Sequence, residues 1–158
     1  MAGDISVAHL TEQPCFALYS TANAVTRAYR PLLDPLGLTY TQYIAMMALW
    51  ERDGVDLRTL ADHTRLDPPT LTPVIKRLEG KGLVSRARAV DDERRLVLTV
   101  TEEGWRLQRE AIDIPQAMLC QVGLSPAEEH QLRMLCEQVL RSLAASSAHP
   151  SAPTAAPQ

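Results

Sequence analysis

The spacing of hydrophobic positions predicts helices at the beginning of the chain. An N-cap at Thr11, with Pro14 where its missing N–H costs little, indicates a first helix that ends at about Tyr29, before Pro31. A second helix is predicted over Tyr40–Arg52. The segment between them, PLLDPLGLT, contains two prolines and a glycine, which indicates a turn or a broken helix.

Two short helices are predicted next. Asp56 can cap the first, Leu57–Thr64, and Asp67 can cap the second, which Pro68 opens. The second has four apolar residues at i, i+3, i+4 and i+7, which predicts one buried stripe: Leu71, Val74, Ile75 and Leu78. Its opposite face is predicted to be exposed and carries Thr70, Thr72, Pro73, Lys76 and Arg77.

The period then changes from that of a helix to that of a strand. LVSRARA and RLVLTVT alternate apolar and polar residues, and the charged segment VDDER joins them, which predicts a β-hairpin. Two short helices followed by such a hairpin describe a helix-turn-helix with a wing over Leu57–Thr101, which we call the reading head. We expect the exposed face of its second helix to enter the major groove of double-stranded DNA. Arg94 and Arg95 on the wing are expected to contact the DNA backbone or the minor groove.

Helices are predicted again after the wing. One begins at Thr101 and reaches Cys120, with a kink at Pro115. Ser125 begins a capping box for the last helix, whose apolar face carries Leu132, Leu135, Val139 and Leu143. We assign the helices of residues 11–30 and 102–145 to homodimerisation, because useful affinity for a palindromic operator normally needs two reading heads. The same apolar stripe also suits an intramolecular core, and the sequence leaves both interpretations open.

The predicted fold is therefore mainly α with a small β-hairpin: a single winged helix-turn-helix domain over residues 1–145 with N- and C-terminal dimerisation helices. The tail, residues 146–158, has the Pro/Ser/Ala bias of disordered segments. A chain of 158 residues with 46% hydrophobic content suits one core. No stretch resembles a signal peptide or a membrane helix, so we expect a cytoplasmic protein.

Charge is concentrated in the reading head. Residues 57–100 carry nine Lys and Arg residues against six Asp and Glu residues, a local balance of +3 in a chain whose net charge is −3. This basic centre fits a DNA-binding surface between acidic flanks. The four histidines are scattered without the spacing of metal ligands, so neither a metal nor another cofactor is predicted.

The runs LTPVIKRLEGKGLVSR and DDERRLVLTVTEEG resemble the MarR family of transcriptional regulators, over roughly residues 11 to 145. The run CFALYSTANAVTRAYRPLLDPLGLTYTQY is more specific and resembles the organic hydroperoxide resistance regulators within that family. This resemblance implies a repressor whose sensing thiolate is Cys15, with hydrogen bonds from the phenols of Tyr19, Tyr29 and Tyr40. In the family, the equivalents of Tyr29 and Tyr40 reach the cysteine from the partner subunit.

The residues around Cys15 suit that role independently. A thiolate, not a thiol, attacks the peroxide bond. Cys15 would lie about one turn into its helix, where the positive helix end stabilises negative charge, and Tyr19 shares its helix face. The resemblance also places Cys120 at the position of a resolving cysteine, which implies an intersubunit disulfide between Cys15 and Cys120. Cys136 has no such match and is expected to be a packed thiol.

One feature departs from the family pattern: Pro68 and Pro69 stand where small residues are more usual at the start of the recognition helix. The fold tolerates them because amides lack helical partners there. Two other functions compete with the hydroperoxide sensor. One is a MarR-type repressor released by a reversible apolar or phenolic ligand in the dimer crevice. The other, a thiol enzyme, is disfavoured because the chain has no C-x-x-C and no alternation of strands with helices.

Overall fold

The computed structural model describes residues 9–88 and 96–148. The helices are α1 (Pro14–Leu33), α2 (Tyr40–Glu51), α3 (Leu57–Thr64), α4 (Pro68–Gly80), α5 (Glu102–Glu110), α6 (Ile114–Val122) and α7 (Pro126–Ala148). The strands are β1 (Val55–Asp56), β2 (Val84–Arg88) and β3 (Leu96–Val100). The chain divides into two compact units, one ending at Pro115 and one beginning at Gln116. This division falls within α6, whereas the sequence predicts one domain over residues 1–145.

Helix α1 differs from the prediction at both ends. Gln13, not Thr11, is its N-cap residue, and Thr11 lies in a separate 3₁₀ turn over Leu10–Glu12. Proline at the first helical position explains this start, since its missing N–H needs no partner there. The helix also continues through Pro31 to Leu33, because the side chain of Leu33 is buried in the core and holds the last turn in place.

Capping side chains begin the next three helices. Thr39 and Gln42 form a capping box at α2, which the sequence analysis did not identify. Asp56 accepts a hydrogen bond from the Thr59 amide at 2.8 Å, so the predicted cap and bounds of α3 are confirmed. Asp67 caps α4 as predicted, and the predicted apolar stripe is buried: Leu71, Val74, Ile75 and Leu78.

The sheet has three antiparallel strands in the order β1-β3-β2. The predicted hairpin is confirmed as β2 and β3, with Val84 opposite Val100 and Arg88 opposite Leu96. Strand β1 was not predicted from the sequence. It pairs with β3, with Val55 opposite Leu98. Two residues are too short to show an alternating pattern, which explains why the sequence analysis missed this strand.

The prediction of one long helix from Thr101 to Cys120, after the wing, is wrong, because α5 and α6 occupy this stretch. Thr101 caps α5 as predicted and accepts a hydrogen bond from the Gly104 amide at 3.0 Å. Residues 111–113 form a turn before α6, and Pro115 lies in the first turn of α6. Proline has no N–H to donate to the residue four positions earlier, so it suits a helix start better than a continuous helix.

The last helix begins as predicted and ends later. Ser125 and Glu128 form the capping box, with the Ser125 amide donating to the Glu128 carboxylate at 2.8 Å. Helix α7 extends to Ala148, past the predicted start of a disordered tail at Ser146. The Ser146 hydroxyl donates to the Ser142 carbonyl, as in a continuing helix. The remainder of that predicted tail lies outside the described residues.

The core of the first unit joins α2, α3, α4, α5 and the sheet. Its largest fully buried side chains include Tyr43, Leu33, Met46, Leu49 and Ile75. In the part of the chain that the structure describes, no helix is both long enough and apolar enough to cross a membrane.

Candidate functional site

The outward face of α4 is available for contact. All five residues predicted on it are exposed: Thr70, Thr72, Pro73, Lys76 and Arg77. The buried stripe on the opposite face fixes the helix on the core, so its polar face is presented to solvent. This arrangement is the one that a recognition helix of a helix-turn-helix requires.

The two threonines of α4 already use their hydroxyl protons. Thr70 Oγ1 donates to Asp67 Oδ1 at 2.7 Å, and Thr72 Oγ1 donates to the Pro68 carbonyl at 2.8 Å. The hydrogen bond from the Thr70 side chain lowers the pKa of Asp67 below its ordinary value. Each hydroxyl proton is therefore used in a hydrogen bond at the start of α4, while each threonine oxygen remains free to accept one.

The wing is tied to α4 by an ion pair that the sequence analysis did not predict. Arg86 of β2 donates to the carboxylate of Glu79, which lies near the end of α4. This hydrogen bond lowers the pKa of Glu79 and raises that of Arg86. The predicted contact residues Arg94 and Arg95 lie outside the described residues.

Cys15 occupies the second position of α1, two positions closer to the N-terminal end of the helix than the predicted N-cap at Thr11 would place it. Cys15 is exposed. The N-cap residue of α1, Gln13, makes no side-chain capping hydrogen bond. The first amides of a helix lack intrahelical partners and carry partial positive charge, and Cys15 lies among them. Tyr19, four residues further along α1, has 68% of its surface exposed.

Three tyrosines form a cluster that the fold brings together within one chain. The ring centroids of Tyr29 and Tyr40 are 4.5 Å apart and stacked, and those of Tyr29 and Tyr43 are 5.9 Å apart. Burial raises the pKa of Tyr29 and of Tyr40. Burial, together with the neighbouring phenols, raises the pKa of Tyr43 to about 12. These phenols therefore remain protonated hydrogen-bond donors at neutral pH.

The structure does not bring Cys15 to this cluster within a single chain. Among the described residues, no hydrogen bond joins Cys15 to Tyr19, Tyr29 or Tyr40. A cavity of about 310 Å³ lies beside the cluster instead and is lined in part by Ile44 and Met47. A second cavity, of about 350 Å³, is lined by Tyr43, Met47, Trp50 and Ile112 among others.

The other two cysteines belong to the second unit. Cys120 is exposed on α6, with its sulfur 3.8 Å from Gln116 Nε2, and Cys136 is half-buried on α7. All three cysteines are free thiols. The predicted apolar face of α7 is exposed to solvent in the single chain: Leu132, Leu135, Val139 and Leu143.

Comparisons with known proteins agree with this geometry. A family profile described as transcriptional regulator SarA/Rot matches residues 27–111. An organic hydroperoxide resistance transcriptional regulator of Bacillus subtilis is 40% identical over 126 residues, which cover 80% of this chain and 84% of that protein.

Two solved structures extend the comparison. Reduced AbfR bound to DNA, a protein of Staphylococcus epidermidis, has a TM-score of 0.71 and 32% identity, covering 85% of this chain and 94% of that one. CouR of Rhodococcus jostii bound to p-coumaroyl-CoA has a TM-score of 0.73 and 27% identity, covering 84% and 95%.

The recognition helix, the hairpin and the DNA-bound relative together define a DNA-binding transcriptional regulator of the winged helix-turn-helix class. The chain belongs to the MarR family of transcriptional regulators, within the organic hydroperoxide resistance group. Its relatives are regulators rather than enzymes, in agreement with the sequence-based expectation.

Proposed function

We propose that this regulator is a repressor that senses organic hydroperoxides by oxidation of Cys15 and then releases its operator. The observation that carries the proposal is the position of Cys15, exposed in the first turn of α1 beside helix amides that lack intrahelical partners. The relative of Bacillus subtilis, named for organic hydroperoxide resistance, supports the same class of signal.

The proposed reaction has two balanced steps. The Cys15 thiolate attacks one oxygen of the hydroperoxide, the O–O bond breaks, and the other oxygen leaves as an alcohol after protonation. Sulfur is oxidised to a sulfenic acid and the peroxide is reduced. The Cys120 thiol of the partner subunit then attacks the sulfenic sulfur, an S–S bond forms, and water leaves.

Phenol donors complete the proposed sensor. Tyr19 lies on the same helix as Cys15, and we place Tyr29 and Tyr40 of the partner subunit at its sulfur. Their stacking in one chain supports this role, because it holds two donors side by side. Their raised pKa supports it as well, since a protonated phenol stabilises a thiolate. The cavity beside them offers apolar space for the hydroperoxide's organic group.

The same proposal requires a homodimer. The exposed apolar face of α7 and the exposed Leu18 of α1 are surfaces that a partner subunit can cover. Two reading heads held by such an interface would meet a palindromic operator, and oxidation would change the spacing between them.

The reading head provides the proposed DNA contacts. Lys76 and Arg77 would neutralise phosphates or pair with guanine, while Thr70, Thr72 and Pro73 would meet base edges or thymine methyl groups. Because both threonine protons bond within α4, we expect these hydroxyls to accept rather than donate. Arg94 and Arg95 remain proposed contacts to the backbone or the minor groove.

The direct test uses an operator selected from random duplexes by the reduced protein. Cumene hydroperoxide should abolish its binding to the wild-type protein, and C15S should bind the operator equally well but ignore the oxidant. An unchanged response to hydroperoxide in C15S would rule out Cys15 as the sensor.

The disulfide has a separate test. Non-reducing electrophoresis of the oxidised protein should show a covalent dimer in the wild type and in C136S, but none in C120S. Cys136 is the matched control because it is another free thiol of the same unit. A covalent dimer that persists in C120S would show that another residue resolves the sulfenic acid.

A second candidate function is release by a reversible apolar or phenolic ligand. The cavity lined by Tyr43, Met47 and Trp50 favours it, as does CouR, whose solved structure holds p-coumaroyl-CoA. Release of the operator from C15S by such a ligand, without oxidant and with full reversal on dialysis, would support this alternative.

A further inference from the structure

Trp50 connects the tyrosine cluster with the helix that follows the wing. Its indole Nε1 donates a hydrogen bond of 3.0 Å to the carbonyl of Gly104, which lies 54 positions away along the chain. Trp50 belongs to α2 and Gly104 to the first turn of α5. The bond therefore fixes the start of α5 on α2.

On one side, a continuous series of ring contacts leads from Trp50 to the proposed sensor. The ring of Trp50 packs edge-on against Tyr43, with centroids 6.3 Å apart. Tyr43 in turn contacts Tyr29, and Tyr29 stacks on Tyr40. The two phenols proposed to contact the partner's thiolate are thus linked to Trp50 by packed aromatic rings.

On the other side, Gly104 lies directly against the base of the wing. A Cβ atom on Gly104 would be 2.3 Å from the Leu83 carbonyl oxygen and 2.6 Å from a methyl carbon of Val100. The Thr101 hydroxyl also donates to the Gly82 carbonyl at 2.6 Å. There is no free space here, so a shift of the first turn of α5 must move the ends of β2 and β3 with it.

We propose that Trp50 is a positioning residue that couples the tyrosine cluster to the base of the wing. This inference rests on the proposed function, in which the tyrosines contact the oxidisable thiolate. When oxidation displaces the phenols, Tyr43 and Trp50 move with them, and the indole hydrogen bond carries the displacement to α5 and the wing. Closely packed elements transmit such shifts because they change between discrete arrangements rather than deform continuously.

The test compares W50F with W105F. Phenylalanine keeps an aromatic ring at position 50 but removes the indole donor. Trp105 is the matched control: it is the other tryptophan of the chain, it is half-buried against the same core, and among the described residues its indole makes no hydrogen bond. The readout is the release factor, the ratio of the operator Kd after hydroperoxide treatment to the Kd of the reduced protein.

We expect W50F to bind the operator within about twofold of wild type when reduced. Its release factor should fall by about fivefold or more, the lower range of typical allosteric coupling. Mass spectrometry should show that Cys15 is oxidised as in wild type, and W105F should keep the wild-type release factor. A merely structural role would instead weaken binding in both redox states and leave the ratio unchanged.

Three outcomes contradict the inference. A wild-type release factor in W50F overturns the coupling role but leaves the hydroperoxide sensor intact. Loss of operator binding by reduced W50F shows that Trp50 supports the reading head itself. A wild-type protein that hydroperoxide fails to release overturns the sensor and, with it, the coupling.

Fluorescence provides a second measurement that does not depend on W50F. In W105F, Trp50 is the only tryptophan. Its emission should shift on hydroperoxide treatment, and the shift should be absent in the double variant C15S/W105F. Operator release without any change in the emission of Trp50 would overturn the proposal.

Discussion

At the scale of single residues, Gly104 has the strictest steric requirement at the base of the wing. Its missing side chain lets α5 approach the backbone of Leu83. G104A should lower the free energy of unfolding by about 1–3 kcal/mol, the usual range for overpacking. The control is G80A, since a Cβ there meets nothing within 4 Å and alanine is the better helix former.

Urea unfolding of both variants at one protein concentration checks this difference, since dimerisation makes stability depend on concentration. G80A should be neutral or more stable than wild type. Equal stability of G104A and G80A would contradict the close packing of α5 on the wing.

The buried phenols predict how stability depends on alkaline pH. The pKa of Tyr43 is raised to about 12, from an ordinary value of 10.0. A group whose pKa is raised by folding contributes stability below its unfolded pKa, and that contribution is lost as the pH rises toward the folded pKa. The free energy of unfolding should therefore decline between about pH 10 and pH 12.

The Y43F variant is the control for this decline, because phenylalanine keeps the ring and has no phenol to ionise. Its unfolding free energy, measured by urea titration across the same pH range, should fall less steeply than that of wild type. An identical slope in the two proteins would assign the alkaline loss to other groups.

At the scale of elements, the recognition helix α4 makes a prediction about charge. Lys76 is exposed on the face opposite the buried stripe. If it neutralises one phosphate, K76A should weaken binding to all DNA sequences alike and reduce the slope of log K against log salt by about 1. R141A, which removes a positive charge from exposed α7, should leave that slope unchanged.

Fluorescence anisotropy with the selected operator and with an unrelated duplex, over a series of salt concentrations, measures both slopes. A loss of affinity in K76A for the operator alone would show that Lys76 reads bases rather than phosphates.

The elements also show which features of the fold could be predicted from the sequence. Caps and stripes are local signals, so Asp56, Asp67, Thr101 and Ser125 correctly located four helix starts. The continuation of α1 through Pro31 depends on burial of Leu33, and strand β1 depends on pairing with β3. Such tertiary contacts leave no periodic pattern in the sequence.

At the scale of the whole molecule, some features of the candidate site could be predicted from the sequence and others could not. The exposure of α4 followed from its stripe, and the roles of the cysteines came from family resemblance. The stacking of Tyr29 on Tyr40 and the bond from Trp50 to Gly104 join segments distant in sequence. Only the folded chain reveals those contacts.

In the proposed function, oxidation rather than reversible ligand binding removes the regulator from its operator. Operator-bound reduced protein, held well above the operator Kd, can be titrated with an organic hydroperoxide while anisotropy is recorded. We expect a linear loss of binding with an end point at about one equivalent of hydroperoxide per subunit or less, reversed by dithiothreitol. Anisotropy that stays constant past that end point, or a hyperbolic response that dialysis alone reverses, would contradict it.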